Sequence, residues 1–198
     1  MVEHSIPTAL RGRNIILGSQ SPRRRELLGG LNIPFTVKII DGIDESFPAT
    51  LPIEEIPMHI ASQKASAYLP GMNENDILIT ADTIVEIDNT LLGKPVNRDD
   101  AISMLHLLAG RTHRVITGVC ITATYKAAKF SSISSVDIAA LSHSEIEYYV
   151  DTFEPYDKAG AYGIQEWFGY VGVERISGSF YNVMGLPVQR LYRELIRF

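Results

Sequence analysis

The stretch Ser19-Gln20-Ser21-Pro22-Arg23-Arg24-Arg25 places three cations where the chain turns from a short apolar run into a helix. Ser21 suits a helix cap and Pro22 the first helical position, so the arginines fall in the first turn. That end of a helix is already positive, and its leading N–H groups lack intrahelical acceptors. Three further positive charges are locally unfavourable there unless an anion is present. A phosphate chain would satisfy both the N–H groups and the guanidinium forks. The plain alternative for such a charge run is a solvated basic face.

Acids with a complementary role stand downstream. Asp82 follows the apolar run 77–81, which reads as a short buried strand, and strand ends are where α/β proteins place their sites. Glu45 lies in a loop after another strand. Two carboxylates from separate loops are a usual way to hold Mg²⁺ opposite a polyphosphate, although either alone reads as a solvated acid. Glu86 and Asp88 sit on an expected hairpin and read as surface residues. Gly93-Lys94-Pro95 allows close backbone approach to a ligand, but lacks the upstream glycine and following Ser/Thr of a P-loop. Lys64, among small and apolar residues, is either a phosphate ligand or a lysine snorkelling to the surface.

A fourth segment, Asp157-Lys158-Ala159-Gly160-Ala161-Tyr162-Gly163-Ile164-Gln165, is rich in small residues that permit a ligand close to the backbone. The Gln165 amide offers one acceptor and a donor group, complementary to the N3–H and O4 edge of uracil or thymine. Guanine would prefer a carboxylate at that place, and cytosine and adenine fit a fixed amide less well. Other chemistries fail on spacing. His4, His59, His106, His113 and His143 form no ligand pair at i, i+3 or i+4, and neither G-x-S-x-G nor G-x-G-x-x-G occurs.

The elements that must position these residues alternate between strand and helix. Strands are expected at 14–17, 35–39, 77–81, 115–121, 132–140 and 171–176, with a hairpin at 83–92 around Asp88-Asn89. Helices are expected from Pro22 to Gly29-Gly30, over 56–69, from Asn97 to Gly110, from Ser142 through Val150, and from Pro187 onward. The Ser142/Glu145 pair forms a capping box. This order predicts an α/β protein with a mixed sheet.

The 198 residues suffice for one large domain or two small lobes, and 45% apolar with 21% charged residues is globular composition. A net charge of −5 attracts neither nucleic acid nor an anionic membrane, so any anionic ligand needs local cations or a metal. One cysteine, Cys120, excludes an intrachain disulfide and reads as a buried inert thiol. No run is long enough for a transmembrane helix, and 1–13 does not read as a signal peptide; a cytoplasmic location is the expectation.

Taken together, these motifs resemble the Maf family of nucleotide pyrophosphatases. The matching residues are Ser19 to Arg24, Glu45, Lys64-Ala65, Ala81-Asp82-Thr83, Gly93-Lys94-Pro95, Asp157 to Gln165 and Gly178 to Pro187, in the family's order. The resemblance implies a single domain over 1–198, with an elongated mixed sheet flanked by helices and two lobes around a cleft, similar to inosine-triphosphate pyrophosphatases. It implies a divalent cation, Mg²⁺ or Mn²⁺, held by Glu45 and Asp82, and Asp82 as the catalytic proton acceptor. Ser19, Arg23, Arg24, Lys64, Thr83, Lys94 and Gln165 would bind the substrate. Arg23, Thr83 and Gln165 match the subgroup acting on dTTP and UTP, and a homodimer is a further implication. A nucleotide-binding cell-division regulator without turnover is the alternative. Two departures stand out: Gly18 where the family has alanine, and Glu166-Trp167-Phe168 where it has small residues. The aromatic pair either stacks on a base or faces elsewhere.

Overall fold

The computed structural model describes residues 7–198, so His4 and the start of the leader reading lie outside the described residues. Asn14–Leu17, with the three buried apolar residues Ile15, Ile16 and Leu17, forms β1, pairing in parallel with β2 (Phe35–Val37) on one side and β3 (Asp76–Ile87) on the other. Ile15 lies opposite Ile77, and Leu17 opposite Ile79. The parallel β1–β2 connection is α1 (Pro22–Gly29), and α2 (Ile56–Tyr68) lies between β2 and β3. β4 (Thr90–Leu92) folds back on β3 through Asp88 and Asn89, whose φ values of 48° and 62° suit a primed hairpin turn.

Next come α3 (Arg98–Leu108), the long strands β5 (Thr112–Thr122) and β6 (Ala127–Ile138), and α4 (His143–Phe153). The chain ends with α5 (Trp167–Gly172), β7 (Val173–Ser177), the short α6 (Phe180–Val183) and α7 (Val188–Leu195). The sheet is seven-stranded, in the order β2-β1-β3-β5-β6-β7 with β4 paired to β3. It is mixed, as the sequence implies: β1–β2 and β1–β3 are parallel, β3–β4 and β6–β7 antiparallel.

The expected caps form. Ser21 accepts from the Arg24 amide, Asn97 from that of Asp100, and Ser142 with Glu145 completes a capping box. Gly110 takes φ 71° after α3, as a helix stop requires. Two helices, α5 and α6, were not expected. They are short, and α5 sits in a glycine-containing stretch without periodicity.

The chain divides into two compact units. One gathers the described residues up to Asp82 with Thr117–Ser131 and Gly185–Phe198; the other gathers Thr83–Ile116 and Ser132–Met184. In the first unit, Ile16, Ala61, Ala65, Tyr68, Leu78 and the buried Cys120 form one cluster. Gly118 lets α2 approach β5: a Cβ there would stand 2.2 Å from the Met58 nitrogen. In the second, α3 and α4 bury Leu105, Leu108, Ile146, Tyr149 and Val150, and Tyr149 packs on Phe168 at 5.2 Å. Burying each such large side chain contributes roughly 1.5–3 kcal/mol.

Candidate active site

β3 carries Asp82 and Thr83 in its middle, not at its end. The expected break after residue 81 is absent because the strand continues into the β4 hairpin. Every other residue of β3 is buried, so Asp82 and Thr83 are the two partly exposed positions of the strand. Glu86, expected at the surface, is instead 4% exposed and paired with Arg114 at 2.6 Å. The strand is covered on both faces here, since Ile84, Val85 and Ile87 are buried as well, so neither face leaves Glu86 at the surface.

Within the first unit, Lys64 joins the two expected metal carboxylates. Its ammonium lies 2.8 Å from Asp82 Oδ1 and 3.1 Å from Glu45 Oε1. Three elements cooperate. β3 supplies Asp82, the mid-helix position on α2 supplies Lys64, and the loop after β2 supplies Glu45. That loop is held locally: Asp44 accepts from the Ser46 amide and hydroxyl at 2.9 Å each, and Gln63 of α2 donates to the Ser46 carbonyl at 2.9 Å. The two Ser46 hydrogen bonds hold the Asp44 carboxyl below its ordinary range. Snorkelling of Lys64 is thereby excluded, since its Nζ points at two acids and its side chain is 14% exposed.

Arg24 is anchored in the same unit. Its Nε donates to the Gly185 carbonyl at 2.9 Å, and Nη1 to the Ala81 carbonyl at 2.8 Å and to Ser19 Oγ at 3.4 Å. Burial lowers its pKa below that of a free guanidinium. Nearby Asp82 and Glu45 oppose the shift, and Arg23 adds to it. Arg23, Arg24, Glu45, Lys64 and Asp82 thus share one electrostatic neighbourhood. Ser19 Oγ also accepts from the Ser21 amide at 3.2 Å, which shapes the turn into α1. Gly18, next to it, faces Thr80, Tyr68 and Leu78 at 3.1–3.2 Å from where a Cβ would be, so an alanine would be tight.

Thr83, Lys94 and Gln165 belong to the second unit. Lys94 is exposed, and its neighbour Gly93 accepts through its carbonyl from the Gly160 amide at 3.0 Å. The lysine turn is therefore tied to the glycine-rich loop. Gly160 takes φ 71° with its missing Cβ 3.0–3.1 Å from Val85, so a side chain there is excluded twice over. Gln165 Oε1 is buried and has no hydrogen-bond donor among the described residues. A buried acceptor without a partner is costly, and an N–H from a ligand would satisfy it.

Sequence reasoning missed the groups around this loop. Tyr149 donates to Glu166 Oε2 at 2.5 Å and accepts from the Gly163 amide at 2.9 Å, while Lys158 Nζ lies 3.1 Å from Glu166 Oε1. Tyr149 lies on α4, far along the chain, and carried no local signal. Phe168 is fully buried, and Trp167 packs on Tyr148 and Tyr149, so the aromatic pair is used for packing rather than for stacking on a base. His106 and His143, unrelated by helical spacing, meet with their ring nitrogens 2.9 Å apart. No group of three or more His, Cys, Asp or Glu suited to a metal gathers among the described residues. No described helix is long and apolar enough to cross a membrane.

Comparison with known proteins bears on this arrangement. The model of the family described as Maf-like protein matches residues 14–198. A dTTP/UTP pyrophosphatase of Parabacteroides distasonis is 56% identical over 96% of this chain and 98% of its own. One from Porphyromonas gingivalis is 53% identical over 96% of each, and one from Flavobacterium psychrophilum 44% identical over 92% and 93%. Among solved structures, a nucleoside-triphosphatase / dITP/XTP pyrophosphatase of Mycobacterium abscessus matches 65% of this chain and 75% of its own, with TM-score 0.39 and 11% identity. That likeness is too partial to argue from. The family match spans every candidate residue from Ser19 to Gln165, and on it the chain belongs to the Maf family.

Proposed function

We propose that this protein hydrolyses dTTP and UTP, or closely related uridine triphosphates, to the nucleoside monophosphate and pyrophosphate. The observation that carries the reading is the Lys64 ammonium held between Asp82 and Glu45 beside Arg24, in a chain 56% identical to a dTTP/UTP pyrophosphatase. A purely structural ion pair needs one acid; two acids from separate segments around one cation mark a place suited to cations, and to polyphosphate only through a cation held there.

The donor set fits Mg²⁺ or Mn²⁺. Both metals favour oxygen ligands, and Mg²⁺ is typically bound by one or two carboxylates together with substrate phosphates. Glu45 and Asp82 would hold the ion, which would neutralise phosphate charge and acidify the attacking water. Asp82 accepts the proton of that water as it adds to the α-phosphorus and pyrophosphate leaves. Arg23, Lys64 and Lys94 balance the charge that develops on the phosphate oxygens, where most phosphoryl-transfer catalysis resides. Arg24 acts differently, since its Nε and Nη1 serve two carbonyls. It adds positive field at the α1 N-terminus and holds the Ala81 carbonyl, and hence Asp82, in place. Ser19 shapes the turn that presents the α1 amides to an anion. Gln165 reads the base: its unpartnered oxygen accepts from N3–H while its NH₂ donates to O4. Thr83, half-exposed beside Asp82, contacts the substrate as well.

The test is pyrophosphate release from UTP and dTTP by the wild type and by Asp82→Asn. The variant keeps the shape of the side chain and loses its charge, and turnover should fall about 10²–10⁴-fold or more. A folded Asp82→Asn protein with near-normal turnover would remove Asp82 from the mechanism. Binding of UTP without any pyrophosphate release by the wild type would instead support a nucleotide-binding regulator.

A further inference from the structure

A side-chain amide is nearly symmetric in shape. Turned over, it offers a donor where it offered an acceptor, which matches cytosine as well as the original matches uracil. Discrimination between these bases therefore depends on where the backbone places the amide relative to the base, and the turn that carries Gln165 is clamped from one point.

Tyr149 of α4 is fully buried against Phe153 and Phe168. Its hydroxyl accepts from the Gly163 amide at 2.9 Å and donates to Glu166 Oε2 at 2.5 Å, so one atom ties both ends of the turn with Gln165 inside it. The Glu166 amide donates to the Gly163 carbonyl at 3.1 Å and closes the same turn. Lys158, with a side chain 9% exposed, holds the other Glu166 oxygen at 3.1 Å. Gly163 is required for this: a Cβ there would stand 2.7 Å from the Glu166 carboxyl carbon. Burial, with the Glu166 carboxylate next, raises the Tyr149 pKa, so its hydroxyl stays a donor at working pH. These groups do not touch the phosphates in the mechanism above, yet a charged pair this sheltered is costly unless fully hydrogen-bonded.

We propose that Tyr149 and Glu166 are positioning residues that hold the turn carrying Gln165 in one place against the base and thereby set the discrimination of uracil-type from cytosine bases. This rests on Gln165 reading the base. The experiment measures kcat/KM for UTP and CTP, with melting temperature as a control, on the wild type, Gln165→Ala, Tyr149→Phe, Glu166→Gln and the Gln165→Ala/Glu166→Gln double variant. Gln165→Ala should lower the UTP-to-CTP ratio. Tyr149→Phe and Glu166→Gln should lower it too, on the order of 10-fold, because a hydrogen-bonding site that loses its register loses its selectivity. The loss should appear in KM for UTP, with kcat changing by about 2-fold or less. In the Gln165→Ala background, Glu166→Gln should change the ratio no further. A lowered ratio in Gln165→Ala with a wild-type ratio in folded Tyr149→Phe and Glu166→Gln would overturn the positioning role alone. So would an equal effect of Glu166→Gln with and without Gln165. An unchanged ratio in Gln165→Ala would instead remove base reading, and the proposal with it. If Tyr149→Phe does not fold, Glu166→Gln, which keeps the shape and one acceptor, decides the matter.

Discussion

Arg24 illustrates how a residue chosen for its charge turns out to be used for its geometry. The sequence places it in a helix's first turn, where replacement by alanine would relieve a positive end and leave stability unchanged or slightly higher. The structure reverses that expectation. Its guanidinium joins the Gly185 and Ala81 carbonyls, on segments far apart in the chain. Arg24→Ala should therefore lower the unfolding free energy, by about 1–3 kcal/mol for each carbonyl left buried without a partner. Chemical denaturation measures this, and an unchanged midpoint would show that water replaces the guanidinium. Lys64 moved in the opposite direction. In sequence it is indistinguishable from a snorkelling lysine, whereas in the structure it is the link between Glu45 and Asp82. Neither role has a local signature, because each depends on what stands opposite the side chain.

Among the elements, β5 shows two demands that the alternating pattern does not reveal. Gly118 reads as an unremarkable strand residue, yet α2 passes so close that a Cβ would lie 2.2 Å from the Met58 nitrogen and 2.3 Å from the Pro57 carbonyl carbon. Backbone cannot give way as a flexible side chain can. Gly118→Ala should lower the unfolding free energy by about 1–3 kcal/mol or more, measured by chemical denaturation. His113, at the start of the same strand, is 1% exposed, with Nε2 2.7 Å from the Tyr162 hydroxyl. Burial lowers its pKa from 6.5 to about 4, with Asp137 and Glu86 opposing the shift. The unfolded chain thus binds the proton more readily than the folded one. The stabilisation is complete above pH 6.5 and is lost as pH falls toward about 4, by about 3 kcal/mol in full. Unfolding free energy measured between pH 7 and 5 should fall less steeply in His113→Leu than in wild type, whatever the variant's absolute stability.

For the molecule as a whole, a net charge of −5 means that the global field does not attract a polyphosphate, so the proposed binding depends on local cations. Chelation should abolish turnover, and added Mg²⁺ should restore it. Far-UV circular dichroism should stay the same, because no described cluster of three or more ligands makes the fold depend on a metal. Activity that survives exhaustive chelation would exclude the metal role of Glu45 and Asp82. Much of the architecture was legible from the sequence: the caps at Ser21, Asn97 and Ser142, the helix stop at Gly110, the Asp88-Asn89 turn and the mixed sheet. These features are local, since a cap bonds an amide three residues away and a turn needs only its own dihedrals. The motif order was also enough to place the chain among Maf proteins. The continuity of β3 through Asp82, the burial of Glu86, the Arg24 and Lys64 bridges and the Tyr149–Glu166 clamp were decided by tertiary structure alone. The bridges, the Glu86–Arg114 pair and the clamp join groups that are distant in the chain, and no pattern of neighbouring residues encodes which partner a buried charge or hydroxyl will meet.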